Sequence, residues 1–105
     1  MPARSSPRRY EFHPAADEEF FAALRFYRES ESSKVASDFE SELRRCLTLL
    51  LSTTEMAPRL GRKNARGKLL RRFPYTLVYA VEPDLIYILA VAHQNRRPGY
   101  WSDRL

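Results

Sequence analysis

The residues of this chain that could do chemistry gather in two stretches. "RLGRKNARGKLLRR" (59–72) carries seven Lys/Arg and no acid, and "AVAHQNRRPGYW" (90–101) brings His93, Arg96, Arg97, Tyr100 and Trp101 close together. A histidine and a tyrosine beside arginines could cleave a phosphodiester: one group takes a 2′-hydroxyl proton, another protonates the leaving oxygen, and guanidinium groups hold the developing charge. The same arginines could instead bind a phosphate backbone, or a protein partner's carboxylates, without reacting. His93, at the exit of an apolar run, is equally suited to hydrogen-bonding the C-terminal segment, and Tyr100 and Trp101 to packing it down. Both readings stay open at this level.

The charge distribution sharpens the setting. The net charge is +5, but residues 1–45 hold eight Lys/Arg and nine Asp/Glu (8 − 9 = −1), whereas residues 46–105 hold ten and four (10 − 4 = +6). The positive field therefore belongs to the second half, which favours an anionic partner or a solvated basic face. Cys46 is the only cysteine, which rules out an internal disulfide, and its apolar neighbours in "LRRCLTLLL" imply a buried, inert thiol. No apolar run approaches the roughly 18 residues that span a bilayer. The basic start lacks an apolar h-region, so the expectation is a protein of the reducing cytoplasm with no membrane partner.

The elements that must position these residues follow from periodicity. At 105 residues, 44% hydrophobic and with three glycines, the chain is one folded domain over 8–105 behind a flexible arm, 1–7. "RRYEFH" (8–13) alternates as a short strand, His13 opens a helix, and Pro14 suits its first position. That helix, 14–30, repeats Phe20, Leu24 and Tyr27 with Phe21 alongside, and places Asp17, Glu18 and Glu19 where the dipole favours anions. A second helix, 33–52, aligns Val35, Phe39, Leu43, Cys46, Leu47 and Leu50. Its other face carries Lys34, Asp38, Glu42 and Arg45, with Asp38 and Glu42 a like-charge pair and Glu42 and Arg45 a favourable one.

After a loop over 53–64, strands are expected at 66–73, 75–82 and 85–92, the last two joined by a tight turn at "EPD". "LIYILAVA" is apolar on both faces, as a central strand covered on both sides would be. The class is therefore α+β. An N-terminal strand and a two-helix antiparallel hairpin precede a three-stranded antiparallel meander, and the helices pack on one face of the small sheet.

"RRFPY.LVY" followed by "I.ILAVAH...R.P.YW", behind a strand ending "HPAA.EEF", resembles the RelE/ParE superfamily of toxins from bacterial type II toxin-antitoxin modules, also called plasmid-stabilisation proteins. The resemblance runs from about residue 8 to the end. It implies growth inhibition, a cognate acidic antitoxin that wraps the toxin as a hetero-oligomer, and neither cofactor nor metal. RelE-like members are similar to metal-independent endoribonucleases, or mRNA interferases, that cut mRNA on the ribosome. ParE-like members resemble inhibitors of DNA gyrase, for which no protein-borne chemistry is needed, and the fold does not choose between them.

Carried over residue by residue, the RelE pattern is incomplete. Its C-terminal aromatic acid/base position falls on Tyr100, which is present, and His93 stands where some ribonuclease members use a histidine. Its phosphate-clamping arginine falls on Gln94 and its strand arginine on Thr76, neither of which carries charge. Lys68, Arg71, Arg72, Arg96, Arg97 and Trp101 remain as a surface for nucleic acid, target or antitoxin. These departures point to the ParE side, with the ribosome-dependent nuclease as the alternative and a nontoxic basic homologue as a third reading. Whether the chain is an enzyme stays open.

Overall fold

The computed structural model describes residues 9–52, 58–60 and 64–105; the expected arm and most of the 53–64 loop lie outside these. Strand β1 (Tyr10–Phe12) leads into helix α1 (Pro14–Ser30) and helix α2 (Ser33–Ser52), followed by β2 (Arg66–Leu69), β3 (Tyr75–Glu82) and β4 (Leu85–His93). A short 3-10 turn, Ser102–Arg104, closes the chain. Both helices occupy the expected spans. The His13 side chain accepts a hydrogen bond from the Ala15 amide at 3.0 Å, with Pro14 in the first turn. Ser32 caps α2 by accepting from the Val35 amide.

The strands run in the order β1-β4-β3-β2. The expected meander is present, with β2 antiparallel to β3 and β3 antiparallel to β4 across the two-residue turn Pro83–Asp84. β1 adds a fourth, parallel strand on the outer side of β4, so β4 is internal and the sheet is mixed. β2 stops at Leu69 rather than 73, because the Leu70 amide bonds the Tyr75 carbonyl and closes a turn in which Arg72 has φ 72°. That left-handed conformation is uncommon for a residue with a Cβ.

The sheet is apolar on both faces. Against the helices lies a core of Phe39, Leu43, Leu50, Leu77, Tyr79, Ile86 and Ile88, all at most 2% exposed. At its end Tyr27, Phe39, Phe73 and Tyr75 meet edge to face or tilted, with centroids 5.2–6.3 Å apart. On α1 the buried stripe is Ala16, Ala23 and Tyr27, while Phe20 and Leu24 are half-buried and Phe21 is exposed, outside the stripe expected for it. Cys46 is fully buried, and desolvation pushes its thiol pKa up, as the sequence implies.

The opposite face is covered by the C-terminal segment. Trp101 packs on Val78, Ala80, Leu89, Ala90 and Ala92, with Leu60 and Tyr100 at the margin. One irregularity divides β4. Val78 pairs with Ala90 but Tyr79 with Ile88, so Leu89 is a bulge. Ile86 and Ile88 before it, and Val91 after it, face the helices, while Leu89, Ala90 and Ala92 face the other way.

Candidate functional site

A cleft of about 710 Å³ opens on the face away from the helices. Its floor is apolar, from Leu60, Val78, Ala92 and Trp101, and its rim is polar and basic, from His93, Gln94, Arg96 and Arg97. The wall is built by consecutive turns. Arg97-Pro98-Gly99-Tyr100 closes with the Tyr100 amide donating to the Arg97 carbonyl, and Gly99 has φ 76°, the arrangement of a type II turn with proline then glycine at its centre. The Gln94 amide ties the exit of β4 to the Pro74 carbonyl, and the Asn95 amide donates to His93 Nδ1 at 3.0 Å.

The expected site residues divide into two groups. His93, Arg96, Arg97, Tyr100 and Trp101 all line the cleft, together with Thr76 and Gln94. Lys68, Arg71 and Arg72 do not. Lys68 lies opposite Leu77, whose side chain belongs to the helix-side core, so it points away from the cleft. Gly67 between its neighbours faces the other way, since a Cβ there would meet Leu60 and Thr76. Arg71 and Arg72 border a separate hollow beside α2, with Asp38, Glu42, Arg45 and Phe73.

In that hollow the two carboxylates of the expected like-charge pair are each held by cations and donors. Glu42 takes two bonds of 2.8 Å from Arg45 and a third of 2.7 Å from the Arg71 amide. These hold its carboxyl down at about 2, chiefly through Arg45, against the opposing effect of burial. Asp38 receives Lys34 and, at 3.3 Å, Arg72, which also lies over the Phe73 ring. The basic turn is thus fastened to α2.

The chemistry of the cleft turns on Tyr100. Its hydroxyl donates to Glu19 Oε2 at 2.8 Å, and Arg96 stacks on its ring with the guanidinium carbon 3.9 Å from the centroid. Burial, followed by the Glu19 hydrogen bond, pushes its pKa up to about 12. At that value only about one molecule in 10⁵ carries the phenolate at pH 7. The His93 ring stands edge-on to Tyr75 at 5.0 Å. The two candidate proton carriers therefore both border the cleft, but the hydroxyl of one is engaged with Glu19 and the Nδ1 of the other with the Asn95 amide.

Glu19 and Arg104 are the residues that sequence reasoning missed. Glu19 is 16% exposed and accepts from Tyr100, from the Val91 amide at 3.0 Å and from Arg104 through both oxygens at 2.9 and 3.1 Å. Arg104 also donates to the Leu89 carbonyl at 2.9 Å. One signal for Glu19 was available: it falls within the buried Ala16, Ala23, Tyr27 stripe, where a carboxylate must find partners. Arg104, three residues past Trp101, carried none. Among the described residues, no group of three or more His, Cys, Asp or Glu could hold a metal, and no helix is long and apolar enough to cross a membrane.

Residues 10–98 match the model of the ParE toxin of the type II toxin-antitoxin system parDE. The chain belongs to the ParE toxin family. A search of curated proteins returned no match. Among solved structures it is similar to a chain of the chromosomal ParDE system from P. aeruginosa, with TM-score 0.72 and 17% identity over 84% of this chain and 96% of that one. At that identity the likeness speaks for the fold, which is the α+β arrangement expected of the family.

Proposed function

We propose that this ParE-family chain is a growth-inhibiting toxin that acts on DNA gyrase by binding, without cleaving RNA, and that a cognate acidic antitoxin neutralises it in the cytoplasm. The observation that carries the reading is the state of the cleft. Its tyrosine hydroxyl is committed to Glu19, and the two positions where a nuclease of this superfamily would place charge hold Thr76 and Gln94. A metal-independent ribonuclease needs a base of suitable pKa and cations on the phosphate. An apolar floor with Arg96 and Arg97 on its rim suits a protein surface instead. In this reading Tyr100 and His93 shape the cleft and Trp101 anchors its wall. Lys68, Arg71 and Arg72 give the α2 side its positive field for antitoxin carboxylates.

The test is induction of the chain in bacteria without antitoxin, with growth, primer extension on a translated mRNA and plasmid topology followed together. Arrest with intact mRNA and relaxed plasmid is expected. Cuts in register with codons would overturn the reading in favour of the ribosome-dependent nuclease, and unimpaired growth would overturn the toxin assignment itself.

A further inference from the structure

We infer that Glu19 is the positioning residue of the cleft: one carboxylate on α1 holds the C-terminal wall, through Tyr100 and Arg104, against the bulged edge of β4. The inference rests on the proposed function for what the cleft does, and on geometry alone for how it is held.

β1 pairs with β4 only as far as Ile88, where the His13 amide takes the last carbonyl of the parallel ladder. Beyond that point the outer edge of β4 has no strand beside it among the described residues. The Leu89 bulge turns a carbonyl and the Val91 amide toward this edge, and an unfilled edge would leave both groups without partners away from water. Arg104 takes the carbonyl and Glu19 takes the amide. The two side chains then pair with each other at 14% and 16% exposure, which couples the edge to the segment carrying Arg96, Arg97 and Trp101. Glu19 also receives the Tyr100 hydroxyl, and Arg96 approaches it at 3.9 Å while stacking on the Tyr100 ring. A single anion thus balances the charge of the inward-turned Arg104 and fixes the ring on which the outward-facing Arg96 rests. Charge is required for this, because a neutral amide could accept from Arg104 but would leave its positive charge uncompensated at such low exposure.

The test uses Glu19→Gln and Arg104→Gln in the full chain, the second because it removes the other partner from outside the helical core. Trp101 is the only tryptophan and is 6% exposed, so its fluorescence reads the wall alone. Both variants are expected to keep the far-UV circular dichroism of the parent, to shift Trp101 emission to the red with at least a twofold rise in acrylamide quenching, and to lose toxicity at least tenfold. In protein labelled with ¹³C at tyrosine Cζ, the Tyr100 titration should fall from about 12 further in Glu19→Gln than in Arg104→Gln, because both variants lessen the burial that is the larger cause, but only Glu19→Gln also removes the Glu19 hydrogen bond and charge. Unaltered Trp101 emission in both variants would overturn the inference, as would an exposed Trp101 with toxicity undiminished. A parent chain that causes no arrest would sink the toxin reading alone, and the tryptophan and tyrosine readouts would still decide whether Glu19 holds the wall.

Discussion

Replacing Glu42 by glutamine tests how the basic turn is held to α2, and its cost can be worked from the structure. The native carboxylate is 11% exposed, receives a forked pair of bonds from Arg45 and one from the Arg71 amide, and has its pKa lowered from 4.5 to about 2. At about 1.36 kcal/mol per tenfold change, that drop corresponds to about 3 kcal/mol, and to about half as much once solvent screening at the rim of the hollow is allowed for. The sign follows from linkage. A carboxyl whose pKa is depressed on folding stabilises the fold fully above pH 4.5, and the contribution drains away as pH falls toward 2.

Glu42→Gln is therefore expected to be about 1.5–3 kcal/mol less stable than the parent at pH 7, a drop in Tm of about 6–20 °C for a domain of this size. The gap should narrow steadily between pH 4.5 and pH 2.5. Urea denaturation followed by circular dichroism at pH 7, 5, 3.5 and 2.5 measures it, and the other carboxylates cancel in the difference. A gap of the same size at pH 7 and pH 2.5, or no gap at pH 7, would refute the reasoning.

Tyr100→Phe should leave toxicity within threefold of the parent in a growth assay, since no proton transfer is asked of the hydroxyl, and should cost about 1–2 kcal/mol in urea denaturation through the lost charge-assisted bond to Glu19. His13→Ala should cost about 1 kcal/mol by uncapping α1, and His13→Asn should recover most of it, as thermal melts would show. Gly67→Val should cost about 1–3 kcal/mol by overpacking, because a Cβ there already stands 2.8 Å from Leu60 Cδ1 and 2.9 Å from Thr76 Cγ2.

The helix spans were legible, because Pro14 marks the start of α1 and the 3.6-residue period marks the buried face of α2, but on α1 small alanines at Ala16 and Ala23 take the buried stripe with Tyr27 and leave Phe21 exposed. The two-residue turn and the central place of β4 were legible from Pro83 and from an apolar run without alternation. The parallel pairing of β1 was not, since three residues carry no register information of their own. Nor was the face of Lys68, because in a four-residue strand only the pairing with β3 decides which way the alternation points. The bulge at Leu89 left no mark in a run where every residue is apolar, yet it turns the edge groups that Glu19 and Arg104 capture. The candidate site was thus read as a set of residue types, and three of its five Lys/Arg, Lys68, Arg71 and Arg72, proved to lie beside α2 or on the helix face.

The most direct measurement is ATP-dependent supercoiling of relaxed plasmid by purified bacterial gyrase, titrated with the purified chain, beside an Arg96→Glu/Arg97→Glu variant carrying the same fold. The expected result is inhibition that rises with the parent protein and falls at least tenfold in the variant. Supercoiling unaffected by excess parent protein, in a preparation that arrests growth when expressed, would contradict a gyrase-directed toxin.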